Sequence, residues 1–180
     1  MEVSGDELAG VTDLFGALTP AELEGAIEEL AFKRDEDPPD VDSTIETALA
    51  NYRLAAIEPD SDRDAPAGDD RGPAGERTTD SDPKHENRLL VPGPTAFPVL
   101  PAGAADLPHI MDIDARAVGR EALEASVEER FRAEAARAVL EEESDRIEEL
   151  LDASYDLEAW GEFDLGGVRT RLDAASATEE

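Results

Sequence analysis

Two short apolar runs constrain this chain more than any other feature. Residues 53–58 (Arg-Leu-Ala-Ala-Ile-Glu) and 88–91 (Arg-Leu-Leu-Val) flank a tract, 59–85, of Asp, Gly, Pro, Arg, Ser and Thr with almost no large apolar side chain. Such a tract cannot offset the entropy of its own ordering, so it is expected to be a disordered insertion. Loop-closure cost grows slowly with length, so the two runs are expected to pair as an antiparallel ribbon with the tract at its tip. A two-stranded ribbon alone is marginal in water and needs helices to pack on.

Those helices precede it. Ser4 and Glu7 have capping-box spacing, and Leu8, Val11, Phe15 and Leu18 recur at helical spacing. Thr19, Pro20 and Glu22 fit the N-cap, first and third positions of a second helix, whose stripe is Leu23, Ile27 and Leu30. Lys33 and Arg34 fall in its last turn, where cations suit the dipole. After a loop at 35–40, a third helix is expected over about 40–52, with Val41, Ile45, Leu49 and Tyr52 on one face. Helix, helix, helix, strand, long tip, strand is the order of a winged helix.

Beyond the ribbon, residues 101–118 read as a proline-rich connector laid across the first module. Residues 119–175 read as a helical module. Leu123, Val127, Phe131, Ala135 and Ala138 form one stripe, and a helix with Ile147, Leu150 and Leu151 follows, with Ser144 able to cap it. Tyr155, Leu157, Trp160 and Phe163 are expected to anchor packing, and Asp164 can cap a last short helix. The expected fold is therefore mainly α with a small β-hairpin. A winged-helix-like N-terminal module (1–58 and 86–100) is followed by a C-terminal helical module.

Charge limits the setting. The 180 residues carry 46 acidic and 16 basic side chains, a formal net charge of −30, and the only lysines are Lys33 and Lys84. At ordinary ionic strength such self-repulsion swells a compact fold. At 1 M salt the Debye length is about 3 Å and the repulsion nearly vanishes. Short carboxylates hold water and cations, whereas long lysine stems add apolar surface that concentrated salt drives together. The excess is spread along the whole chain, unlike the block of an acidic tail. The composition is that of a protein that works in brine. An acidic amphipathic start reads as no signal peptide, no run approaches the length of a membrane span, and the expected place is the cytoplasm.

Several chemistries lack their signatures. With no cysteine the chain has no disulfide, thiol nucleophile or thiolate metal site. There is no phosphate-binding glycine loop, nucleophile elbow or H-E-x-x-H. Asp60, Asp62 and Asp64 open like a calcium loop. The pattern fails at Ala65, where glycine is needed, and at Arg71, where a bidentate glutamate is needed. His109, among Asp106, Asp112 and Asp114, is the one histidine placed for metal or acid–base work, and a packed or capping role is the plainer reading. The winged-helix order invites DNA, yet the third helix carries Asp40, Asp42 and Glu46 where a groove reader carries Arg, Lys, Asn or Gln. DNA contact would need Lys33, Arg34, Arg53 and Arg88 to converge on one face. Pro92-Gly-Pro-Thr-Ala-Phe-Pro98 reads as a rigid connector, with a polyproline-type partner epitope as the alternative.

Three stretches are familiar together: Asp6-Glu-Leu-Ala-Gly-Val-Thr-Asp-Leu-Phe-Gly-Ala-Leu-Thr19, Leu90-Val-Pro-Gly-Pro-Thr-Ala-Phe-Pro98 and Leu150-Leu-Asp-Ala-Ser-Tyr-Asp-Leu-Glu-Ala-Trp160. On them the chain resembles a family of small haloarchaeal proteins of unknown function, over nearly its whole length outside 59–85. The resemblance implies a haloarchaeal cytoplasm and brings no activity or site residue. The reading is a non-enzymatic protein-interaction or regulatory module that needs no cofactor and takes an unidentified protein partner. A DNA-associated winged-helix regulator is the first alternative, and an unrecognised enzyme or metal-binding protein the second.

Overall fold

The structure, a computed structural model, describes residues 1–58 and 88–177. The tip of the ribbon, Asp60, Asp62 and Asp64, and His85 lie outside the described residues. Seven α-helices and one two-stranded antiparallel sheet make up the described part: a mainly helical fold with a small hairpin.

Helix α1 (Gly5–Phe15) opens with the capping box the sequence predicts: Ser4 accepts from the Glu7 amide while the Glu7 carboxylate accepts from the Ser4 amide. Helix α2 (Pro20–Lys33) repeats the device with Thr19 and Glu22 behind Pro20. Helix α3 (Val41–Ala50) is capped by Asp40. Strands β1 (Leu54–Ile57) and β2 (Leu89–Pro92) pair with Ala55 opposite Val91 and Ala56 opposite Leu90. Leu18, expected to extend the α1 stripe, instead lies in an extended bridge to Leu90, with hydrogen bonds of 3.1 and 2.7 Å. That bridge adds a third short edge to the sheet, between α1 and α2.

Residues alternate across the ribbon, and so does their burial. Leu54, Ala56 and Leu90 pack inward on a core made by α1, α2 and α3 (Leu8, Val11, Phe15, Leu23, Ile27, Ile45). Ala55, Val91, Ile57 and Leu89 pack outward on a second core. The C-terminal helices supply that core. Helix α4 (Leu107–Ile110) is a single turn in the connector. Helices α5 (Arg120–Glu141), α6 (Ser144–Trp160) and α7 (Gly166–Ser176) run up, down and up, and α5 lies against β1. Ser144 is the first residue of α6, one place inside the cap position, which Glu143 holds without a side-chain bond. The Asp164 carboxylate does receive the Gly166 amide at the start of α7 (3.3 Å). Tyr155 departs from expectation: 63% exposed, it packs no core and lies under the Arg169 guanidinium.

The connector runs over the first core, as its apolar residues predict. Ala104 and Leu107 are fully buried in it. Farther along, the Arg116 amide donates to the Phe15 carbonyl (2.8 Å) and its guanidinium grips Glu22. Gly16, at φ +75°, makes this fit: a Cβ there would lie 2.0 Å from the Arg116 carbonyl oxygen.

Candidate functional site

Three surfaces decide what this fold can touch: the outer side of α3, the strap that follows the ribbon, and the charged seam between the two cores.

In a winged helix the third helix would enter a DNA groove. Here α3 exposes Asp42, Ser43, Glu46 and Thr47, and Glu24 and Glu28 of α2 are exposed as well. Partial burial and the nearby charges of Asp42 and Glu28 push the Glu24 carboxyl above its ordinary range. A groove phosphate would meet the same repulsion. The four sequence-predicted cations do not form a free basic face. The Arg34 guanidinium donates to the Ala102 carbonyl (2.8 Å) and that of Arg53 to Asp6 (2.6 Å). Lys33 stands exposed at the end of α2. Arg88, half-buried at the start of β2, loses basicity through burial and the charge of Arg130, which Glu46 and Glu58 partly offset.

The strap is residues 96–101. Its backbone is tied to α1: the Phe97 amide donates to the Asp6 carboxylate (3.0 Å) and the Val99 amide to the Asp6 carbonyl (3.0 Å). Gly10 lets it lie that close, because a Cβ there would fall 2.2 Å from the Val99 carbonyl oxygen. Asp6 therefore binds both the strap and Arg53. With the amides turned inward, the side chains face out: Phe97 is 75%, Val99 53% and Leu100 49% exposed. The sequence singled out 92–98; the structure moves the apolar outward part to 97–100.

The seam was not visible in the sequence. Tyr52, expected on the α3 stripe, lies past the helix in a left-handed backbone conformation (φ +57°) and turns to the other core, edge-on to Phe131. The Tyr52 carbonyl receives the Thr95 amide (3.1 Å). Its hydroxyl donates to the Glu134 carboxylate (2.7 Å), which also receives Arg130 (3.0 Å) and Arg146 (2.8 Å). Arg146 further donates to the Ala50 carbonyl at the end of α3 (2.7 Å). Burial opposes the Glu134 charge, but the Tyr52 hydroxyl and the two guanidiniums outweigh it and hold the carboxyl below its usual range. Burial and the Glu134 charge push the Tyr52 phenol far up, so it remains a donor. Glu134 and Arg146 sit in a Glu/Arg-rich stretch that reads as solvated surface, and no local signal sets them apart.

His109 is an exposed residue of α4, and no group of three or more His, Asp or Glu side chains is placed to hold a metal among the described residues. No helix among them is long and apolar enough to cross a membrane.

One protein family matches the sequence from residue 6 to residue 177. The chain belongs to that family, DUF7109, a family of unknown function. The match takes in both helical layers and the ribbon between them. No curated protein and no solved structure matches the chain.

Proposed function

We propose that this DUF7109 protein is a non-enzymatic protein-interaction module, built on a winged-helix-like scaffold and suited to the salt-rich cytoplasm of a haloarchaeon. The observation that carries the reading is the strap. Concentrated salt strengthens the drive to bury apolar surface. A brine protein that holds Phe97, Val99 and Leu100 outward on a tethered backbone is presenting a contact. The tether also lowers the entropy lost when a partner closes on it. Partner contact through this segment fits its proline-flanked sequence, Pro94 to Pro101. The acidic outer side of α3 supports protein over DNA as the partner class.

Tagged capture from haloarchaeal lysate at multi-molar KCl, with and without nuclease, tests this. A stoichiometric protein that survives nuclease and is lost with Phe97→Asp is the expected result. Circular dichroism of the variant should match that of the parent, because Phe97 is outside both cores. Partners lost on nuclease treatment would overturn the reading in favour of a DNA-associated regulator. Recovery of the chain alone would also overturn it, and would turn attention to His109 and small ligands.

A further inference from the structure

An apolar groove opens among the C-terminal helices. Helices α5 and α7 run the same way, with α6 antiparallel to both, and a groove of about 160 Å³ opens between them. Ala135, Val139, Val168 and Leu172 line it, with Ala136 and Arg171 also in its wall. Leu140, one turn beyond Ala136 on α5, is 83% exposed beside it. Among the described residues the leucine is left bare and the groove stays open.

We propose that the occupant is a second copy of this chain, bound antiparallel so that Leu140 of each copy enters the other's groove. The arrangement is isologous, the form in which one patch carries both the projecting and the receiving group. Charge favours it. Arg171 has no ion pair among the described residues. Arg132 of α5, paired there with Glu128 (2.7 Å), also reaches the start of α7, where it donates to the Asp164 carbonyl. Just past Leu140 stand Glu141, Glu142 and Glu143, which occupy the carbonyl end of α5, where the helix dipole disfavours anions. Among the described residues only Arg137 approaches them, at 3.7 Å from Glu141 and 3.6 Å from Glu143. An antiparallel partner brings this acidic end toward the other copy's Arg132 and Arg171; a parallel one sets like ends together. The 22 residues of α5 span about 33 Å, the length along which two copies would lie side by side. In molar salt apolar burial supplies the attraction, and only charges in direct contact across the pair bear on its direction.

Size-exclusion chromatography with light scattering on the full chain in multi-molar KCl, loaded near 100 μM or about 10⁻⁴ M, tests the pairing. Expected are a species of two chains for the parent and a species of one chain for Leu140→Glu, with unchanged circular dichroism, since Leu140 lies outside both cores. The dissociation constant should rise about a hundredfold, as expected for re-exposing two leucines. Arg171→Glu should weaken the dimer about tenfold, and Phe97→Asp should leave it intact, which separates this face from the strap. A single-chain parent at that concentration, or a dimer indifferent to Leu140→Glu, would overturn the proposal.

Discussion

The inner face of the ribbon, Leu54, Ala56 and Leu90, meets α1 and α3 through hydrocarbon alone, whereas the outer face meets α5 beside a charged seam. The two contacts are built on one pair of strands, a few ångströms apart. Hydrocarbon burial tolerates small shifts of register, so the inner contact supplies stability. The seam joins Tyr52, Glu134, Arg130 and Arg146 through directional bonds and admits one placement of α5 and α6 against the ribbon. The difference teaches that the outer layer is oriented by polar groups and held by apolar ones.

The largest expected effect touches both contacts at once. Lowering KCl to about 0.1 M restores repulsion among the carboxylates, and the chain should loosen or unfold. Far-ultraviolet circular dichroism that does not change between molar and 0.1 M-range KCl would break the argument from charge. Next is the inner contact: Leu90→Ala, at a fully buried position, should cost about 3 kcal/mol in chemical denaturation at high salt. The seam should respond less. Tyr52→Phe removes a hydrogen bond to a charged group and should cost about 2 kcal/mol. A smaller loss from Leu90→Ala than from Tyr52→Phe would reverse the comparison.

The smallest effect is the most specific. The native Glu134 carboxyl titrates below the ordinary carboxylate value of about 4.3. Its contribution is therefore complete above that value and is lost as pH falls through the lower native pKa. Relative to Glu134→Gln, the parent should lose stability on acidification below about pH 5 and show no extra pH dependence between about 6 and 8. Equal acid sensitivity of the two proteins, measured by thermal melts across that range, would remove Glu134 from the seam's energetics.

Much of the fold was legible because its signals are local. The Ser4/Glu7 and Thr19/Pro20/Glu22 spacings each satisfy free amides within one turn, and both capping boxes form as read. The ribbon was legible from its two short apolar runs and from the polar tract between them. Tyr155 misled, because an aromatic ring at helical spacing carries no mark of which side another element will cover. Tyr52 misled for a related reason: its turn to the second core depends on a left-handed backbone held by Thr95, a residue 43 positions on in the chain. Of the surfaces, the proline-flanked strap could be noticed in advance, but its exposure could not.

By itself, then, the sequence determined most of the helices, the two capping boxes, the pairing of the two runs and the overall acidity, because spacing and charge act over one turn or need no partner. Only the tertiary structure decided that the outer side of the ribbon is a second interior. It alone drew Glu134 and Arg146 out of a solvated-looking helix, tied the strap down through Asp6, and left Leu140 beside an open groove. Those outcomes depend on which element covers which face, and in a chain with 46 carboxylates the buried few are distinguished only by the neighbours that folding brings to them.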